Sequence, residues 1–423
     1  MGAQNELVQS LPIRTRRGRR RKPKFLAVDF YCGAGGTTRG LIDAGGFVIA
    51  GLDKQESCRR TYVANNGNEF GDRSYPEFLA LDLFPATETH PDGEQANALS
   101  QLQAPIEQHR ARYPDIPLLF AICAPCQPFT KLSKAELRKE RIAERLRDQN
   151  LLAHTCRFIE EFRPDIVLSE NVAGITDSRY GGIWEDFETR LRLLDYRVSS
   201  VRVCASHLGI PQFRKRSIMG AVRSHNVPNT KLELPITDRT SNTLTVGEAL
   251  KGLPPLEPGG RDPNIPNHVA RNLSPLNRKR ISYAKPGESN QYLTSTPDGD
   301  LSLPCHNRVN KKLEVPCFTD VYTRMSPDRP SPTITTRCYS ITNGRFGHPD
   351  VAQLRAISMR EAARLQSFPD DYVFYPVNQL EPIAKMIGNA VPPKMASFYA
   401  RNLLTTFQNP MPQTTERKDA LTQ

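Results

Sequence analysis

The sequence predicts an α/β protein: a sheet of largely parallel strands covered by helices on both faces, with a smaller irregular domain attached. Three observations carry this. Short apolar runs recur through the first half, several of them ending at Asp, Glu or Gly. Stretches of helical spacing lie between them, and strands alternating with helices are the pattern of a parallel sheet. The character then changes near Val222, after which Pro, Asn, Ser, Arg and Lys dominate for about a hundred residues.

The strands are read in order at residues 25–29 (FLAVD), 47–53 (FVIAGLD), 118–122 (LLFAI), 165–168 (DIVL), 197–203 and 217–222 (SIMGAV). Helices are expected at 38–44, 57–65, 150–162 and 183–194, then at 358–366 and 394–407. Ser358 followed by Glu361 forms a capping box at the start of the first of the late helices. Residues 84–112 and 131–148 read as insertions. The second carries seven basic and four acidic residues directly after PCQPF. No repeat at a fixed period is present. The organisation expected is a basic arm at 1–24, a first block at 25–222, a small domain or set of long loops at 223–332, a closing block at 333–407 and a polar tail at 408–423.

Composition narrows the function. The 423 residues suggest two or three domains at roughly 150 each. No run of about 18 uncharged apolar residues exists, so no membrane span is expected. The basic start lacks an apolar stretch, so it is not a secretory signal. Residues 1–24 carry eight basic side chains and one acid, +7 of the chain's +12. Such an arm attracts phosphate backbones without reading sequence, or else only solubilises the chain. Nine cysteines, an odd number, in a chain without a signal peptide point to free thiols in a reducing cytoplasm.

Four motifs carry chemistry. DFYCGAGG at 29–36 is a strand ending in Gly33, Gly35 and Gly36, which lets backbone approach a ligand closely before a helix begins, although an ordinary tight turn would look the same. Asp53, at the next strand end, is placed to accept from ribose hydroxyls. Asp82 is either an acceptor for an adenine amino group or a helix cap. CAPCQPF at 123–129 holds a C-x-x-C pair, and zinc, redox and nucleophile readings compete for it. In the third reading Cys126 attacks from a loop stiffened by Pro125 and Pro128. ENV at 170–172 sets Glu170 at a strand end, where a carboxyl in a cleft can hydrogen-bond a ring nitrogen or serve as an ordinary surface ion pair. QFRKR at 212–216 projects Arg214 and Arg216 to one face, to stabilise developing charge, to clamp phosphates or as a solvated strand.

The order of these motifs resembles that of the DNA (cytosine-5) methyltransferase family, in its bacterial restriction-modification form. RPSPTIT at 329–335, GRFGHP at 344–349, REAARLQSFPD at 360–370 and GNAVPP at 388–393 match the family's later motifs, so the resemblance covers about 25–404. It implies a mixed, Rossmann-like sheet of the S-adenosylmethionine-dependent methyltransferase type. Residues 223–332 become a target-recognition domain and 131–148 a mobile catalytic loop. By that match Cys126 adds to carbon 6 of cytosine, Glu170 holds or protonates ring nitrogen 3, and Arg216, with Arg214 nearby, neutralises charge at oxygen 2. Carbon 5 then takes the methyl group of S-adenosylmethionine, and loss of its proton and expulsion of Cys126 restore the ring. The base must be flipped out of the duplex to be reached. Tyr31, Gly33, Gly35, Gly36, Asp53, Asp82 and Asn389 are implied to hold the cofactor. The implied partners are double-stranded DNA and a restriction endonuclease acting on the same site, with the enzyme itself a cytoplasmic monomer. No metal is expected.

The departures are Tyr31 where Phe is usual, Thr130 for Ser, Cys204 for Asn and Gln55 for an acid. The Tyr31 hydroxyl therefore needs a partner. Two rival readings are a tRNA methyltransferase or non-catalytic nucleic-acid-binding homologue, and a zinc or redox C-x-x-C protein.

Overall fold

The structure is a computed structural model that describes residues 22–67, 70, 76–125, 150–177, 182–226, 232–236, 243–304, 309–310, 315–316 and 318–409. The basic arm up to Arg21, Cys126, the charged segment at 131–148 and the tail beyond 409 lie outside these residues.

Six strands of the central sheet fall where the apolar runs place them. They are β1 (Phe25–Phe30), β2 (Gly46–Leu52), β4 (Leu118–Ile122), β5 (Ile166–Val172), β6 (Tyr196–Cys204) and β7 (Lys215–Arg223). A short β3 (Glu77–Leu79) completes a seven-stranded sheet of order β3-β2-β1-β4-β5-β7-β6. The first five strands pair in parallel. Strand order reverses between β1 and β4, the kind of switch point at which α/β sheets open a crevice outside the carboxyl ends of their strands.

The last two strands depart from the parallel pattern. β7 runs antiparallel to both β5 and β6. Only residues 205–214 connect β6 to β7, too few for the crossover a parallel neighbour requires. β5 also continues through Val172, so Glu170 lies within a strand, opposite Ile218 of β7, and not beyond its end.

Four helices of the first half match their expected positions within about two residues: α1 (Gly36–Asp43), α2 (Arg59–Asn65), α4 (Leu151–Phe162) and α5 (Ile183–Leu193). α3 (Gln95–Arg112) occupies the segment read as an insertion. Its buried residues, Ala98, Leu102, Ile106 and His109, do follow a helical stripe. The stripe is thin, and Pro105 interrupts it.

The segment after β7 contributes α6 (Val246–Leu250), α7 (Pro275–Ser282) and a two-stranded ladder, Val309–Asn310 with Val315–Pro316. The remaining helices are α8 (Met359–Leu365), α9 (Leu380–Asn389) and α10 (Pro393–Gln408). α8 starts with the expected capping box: Glu361 N donates to Ser358 Oγ at 3.1 Å and Ser358 N to Glu361 Oε2 at 2.6 Å.

The small apolar cluster of Leu273, Ile281, Leu293 and Tyr322 also includes Ile341 and Ala356, so this subcore extends past the expected boundary at 332. With little regular structure, it is organised by a buried arginine. Arg324 donates to the carbonyls of Ile281, Ala284, His348, Asp350, Val351 and Gln353 at 2.8 to 3.2 Å.

The chain returns to the main sheet through α10, which packs on α1. A Cβ on Gly40 would stand 2.4 Å from Pro393 O, and one on Gly36 2.5 Å from Val391 O, so both positions demand glycine. Among the described residues no helix is long and apolar enough to cross a membrane.

Candidate active site

Strand register brings the motifs together. Phe30 is opposite both Leu52 and Ile122, and Ile122 is opposite Ser169. The residues that follow β1, β2 and β4 therefore emerge along one edge, beside the last residues of β5.

After β1 the backbone turns through positive φ at Tyr31 (61°), Gly33 (51°) and Gly35 (92°). Tyr31 pays for its left-handed backbone only if it is well anchored, and its hydroxyl is within 2.9 Å of Thr155 Oγ1 and 3.3 Å of Leu151 O on α4. The hydroxyl thus has the partners its position required. Gly33 N donates to Asp53 Oδ2 at 2.9 Å and Gln55 N to Asp53 Oδ1 at 2.8 Å, which fixes the carboxylate plane. Burial raises the Asp53 carboxyl above its ordinary value, against the lowering effect of those two N–H groups.

Tyr31, Asp53, Lys54, Gln55, Asp82 and Phe84 line a cleft of about 560 Å³, counting space open to solvent, closed on other sides by His90, Pro125 and Leu151. Its walls are apolar apart from the carboxylates of Asp53 and Asp82 and the polar ends of Lys54, Gln55 and His90. Those acceptors fit a nucleoside, whose ribose hydroxyls and exocyclic amine are donors and whose rings are apolar faces. S-adenosylmethionine carries such a nucleoside. Gly33, Gly35, Gly36 and Asn389 do not line the cleft. The glycines support its edge. A Cβ on Gly35 would fall 2.2 Å from Asn66 Nδ2. Asn389 is exposed at the end of α9, beside the Ala390–Val391 stretch that meets Gly36.

Next along the edge, Glu170 and Arg216 form an ion pair, Nε to Oε1 at 2.6 Å, with side chains 11% and 10% exposed. Arg216 also donates to Lys215 O at 2.7 Å. On the alternate face of β5, Ser169 Oγ donates to Ile122 O at 2.7 Å and Asn171 Nδ2 to Ala124 O at 3.2 Å. These bonds hold the start of the 123–125 loop against the strand that carries Glu170. Pro125 faces the cleft, and Cys126, the next residue, lies outside the described residues. Thr37 Oγ1 lies 3.8 Å from Cys123 Sγ. Enclosure, then the charges of Glu170 and Asp29, push the Cys123 thiol well above its usual range. A thiol held protonated is a poor partner in thiol–disulfide exchange, which counts against the redox reading of the C-x-x-C pair.

Arg214 takes a different place from Arg216. It is buried, and its guanidinium donates to the carbonyls of Ile334, Gly388 and Ala390 at 3.1 to 3.3 Å. Gln212 extends this junction, donating to Leu365 O and to Gln366 Oε1 and accepting from Ile334 N. Gln366 Nε2 in turn donates to Ile387 O at 2.7 Å. The QFRKR, PSPTIT, RLQ and GNAVPP motifs thus meet in one buried polar network.

Several cleft residues escaped the sequence reading, notably Phe84, His90 and Leu151. Phe84 follows Asp82 by two residues, a usable signal. His90 sits in a polar loop with no periodicity to mark it.

The fold and the cleft define a class: an α/β enzyme with a nucleoside-shaped crevice at its switch point and a buried Glu–Arg pair beside it. Residues 95–405 match the family model for C-5 cytosine-specific DNA methylase. The chain is 35% identical over 378 residues to the Type II methylase M.HgiDII of Herpetosiphon aurantiacus, covering 89% of this chain and 94% of that one. It is 29% identical over 385 residues to the Type II methyltransferase M1.BsuMI of Bacillus subtilis, covering 89% and 79%. Among solved structures, a chain described as a DNA modification methyltransferase encoded within an E. coli prophage superposes with TM-score 0.61 at 20% identity, covering 91% of this chain and all of that one. The S. pombe Dnmt2 methyltransferase superposes with TM-score 0.54 at 16% identity, covering 91% and 99%. The chain belongs to the C-5 cytosine-specific DNA methylase family. It is a DNA (cytosine-5) methyltransferase that uses S-adenosylmethionine.

Proposed function

We propose that this enzyme methylates a flipped-out cytosine within a specific double-stranded sequence through a covalent bond from Cys126, as the modification half of a restriction system or as an orphan methylase. The observation that carries the mechanism is the Glu170–Arg216 pair, held beside the loop that leads into Cys126 and next to a nucleoside-shaped cleft. Carbon 5 of cytosine is a weak nucleophile, so Cys126 adds to carbon 6 and pushes electrons toward carbon 5. Glu170, when its carboxyl carries a proton, donates to ring nitrogen 3 and limits charge on the ring. Arg216, kept in orientation by Glu170, faces oxygen 2. Once carbon 5 carries the methyl group, its proton passes to water, the electrons of that C–H bond reform the 5,6 double bond, and the Cys126 sulfur leaves as thiolate.

S-adenosylmethionine, when bound, supplies an electrophilic methyl group. Asp53 would accept from its ribose hydroxyls, Asp82 from its adenine amine, and Tyr31 would cover it. Gly33, Gly35 and Gly36 allow the tight turn that carries Tyr31 over the cleft, and Asn389 acts only through the Ala390–Val391 stretch that packs on Gly36. Arg214 acts as a positioning residue: by tying the β7 strand to residues 334, 388 and 390 it sets where Arg216 begins.

Residues 223–332, extended by the shared subcore to about 356, form the target-recognition domain, and 131–148 close over the bound DNA. The basic arm adds affinity for phosphate without sequence preference. A monomer in the cytoplasm, working on the site of a partner endonuclease, completes the reading, and the Type II names of the relatives support that assignment. Labelled-methyl transfer to duplex DNA and to tRNA tests it. Transfer to DNA is expected, and transfer to tRNA alone would overturn the substrate assignment.

A further inference from the structure

Asp82 does not stand alone at the cleft. The chain after β3 folds into a tight loop whose ends are pinned together: Glu94 N donates to Asp82 O at 2.8 Å, Asp82 N to Glu94 Oε2 at 3.0 Å, and Gln95 N to Phe84 O at 3.1 Å. Gly93 lets the strands of this loop touch, since a Cβ there would stand 2.5 Å from Phe84 O and from Pro85. At the tip, Thr87 and His90 bond each other's backbone at 3.0 Å in both directions. The loop thereby delivers the His90 side chain back onto Asp82, with Nε2 at 3.3 Å from Oδ2. The His90 ring stands edge-on to Phe84, centroids 5.1 Å apart at 81°, and Phe84 is backed by His154 at 4.4 Å.

We propose that His90 is a specificity-determining positioning residue for the cofactor's base. It makes Asp82 an acceptor for a 6-amino group and so selects adenine over a 6-oxo purine. The inference rests on the reading of Asp82 as the adenine acceptor. The carboxylate has two oxygens, and both are held on the protein side. Oδ1 accepts from Phe84 N at 3.1 Å and Oδ2 faces the His90 ring nitrogen. A carboxylate fixed by two donors cannot rotate, and each oxygen keeps a second lone pair. Because Asp82 and His90 both line the cleft, that remaining capacity is presented to a ligand there. An ionised carboxylate accepts only, so it rewards a 6-amino group and repels a 6-oxo group. Without His90, Phe84 N alone holds the carboxylate, which can then swing about that one bond and be satisfied by water whichever purine is bound.

The test is ligand selectivity of the intact protein, read by titration calorimetry with S-adenosylhomocysteine and its deaminated analogue S-inosylhomocysteine. The wild-type protein is expected to prefer the adenosyl ligand by about tenfold or more. His90→Phe keeps the ring against Phe84 but removes the N–H, and its preference should fall to within about threefold. His90→Gln restores a donor at similar reach and should recover most of the preference. In steady-state assays His90→Phe should raise the KM for S-adenosylmethionine by a larger factor than it lowers kcat, and His90→Gln should reverse most of that rise. Asp82→Ala separates the two claims. If it leaves the preference intact, Asp82 is not the base acceptor and the underlying reading fails. If Asp82→Ala abolishes the preference while His90→Phe preserves it, the role given to His90 is overturned.

Discussion

Replacing Asp29 by Asn should remove a large pH dependence from the stability of this enzyme. Asp29 sits near the end of β1, fully buried beneath the glycine turn. Its Oδ2 accepts from Thr38 Oγ1 at 2.6 Å, whereas Oδ1 has no hydrogen-bond partner among the described residues. Burial raises the carboxyl from 3.8 to about 7, with the Asp53 charge adding to it and the Thr38 bonds opposing it. In the unfolded chain the group titrates near ~3.9. The folded state therefore binds the proton more tightly, so the contribution to stability is fully present below about pH 4 and is lost as pH rises toward 7. A shift of about three pH units corresponds to ~4 kcal/mol across that window. The Asn variant has no charge to bury at any pH. Urea-unfolding midpoints of both proteins, measured at half-unit steps from pH 4 to 8, isolate the effect, because all other titrating groups cancel in the difference. The difference should move in favour of the variant by up to ~4 kcal/mol between pH 4 and 7 and then level off. Parallel curves for the two proteins would refute the reasoning, since Asp29 would then hold its ordinary affinity for a proton in the fold.

Other outcomes follow from the site. Cys126→Ala should abolish methyl transfer while gel-shift affinity for duplex DNA persists, and residual turnover would contradict covalent catalysis. Glu170→Gln preserves shape but not charge, and it should lower kcat by about 10²- to 10⁴-fold. A circular dichroism melt should show a folded protein, because Gln fills the same space and Arg216 keeps its bond to Lys215 O. Deleting residues 1–24 should weaken DNA binding equally for all sequences and reduce the slope of log affinity against log salt by up to about seven, given eight basic residues in the arm. A slope that does not change would leave the arm as a solubilising tail.

Legibility in the sequence followed the strength of local pattern. Apolar runs such as LLFAI at 118–122 are buried on both faces and announce themselves, and β4 has the bounds expected of it. The capping box at Ser358 was equally plain, because its two hydrogen bonds are local. α3 was hidden because four buried residues in eighteen leave a weak stripe, and Pro105 breaks it further. The direction of β7 could not be read from residues alone, since only the length of the preceding connection sets it. In the site, Tyr31, Asp53, Asp82, Glu170 and Arg216 were visible as polar residues at strand ends or in short motifs. Arg214 and Arg216 looked equivalent by alternation, yet their partners differ, because Arg214 is spoken for by carbonyls more than a hundred residues away in the chain. His90 was invisible for the same reason: its meaning comes from a loop closure, not from a period. The irregular subcore around Arg324 has no pattern at all, since its carbonyls are satisfied by one side chain in place of a ladder.

The central claim is that a sulfur of this chain bonds transiently to the target cytosine. Duplex DNA of mixed sequence, copied with 5-fluorodeoxycytidine in place of deoxycytidine, puts the claim to a direct measurement. Carbon 5 then carries fluorine, which cannot leave as a proton does, so the sulfur is not released after methylation. With S-adenosylmethionine present, a denaturant-stable protein–DNA adduct should accumulate, and peptide mapping should locate the link at Cys126. Folded enzyme that methylates ordinary DNA of the same sequence yet forms no such adduct would contradict the account.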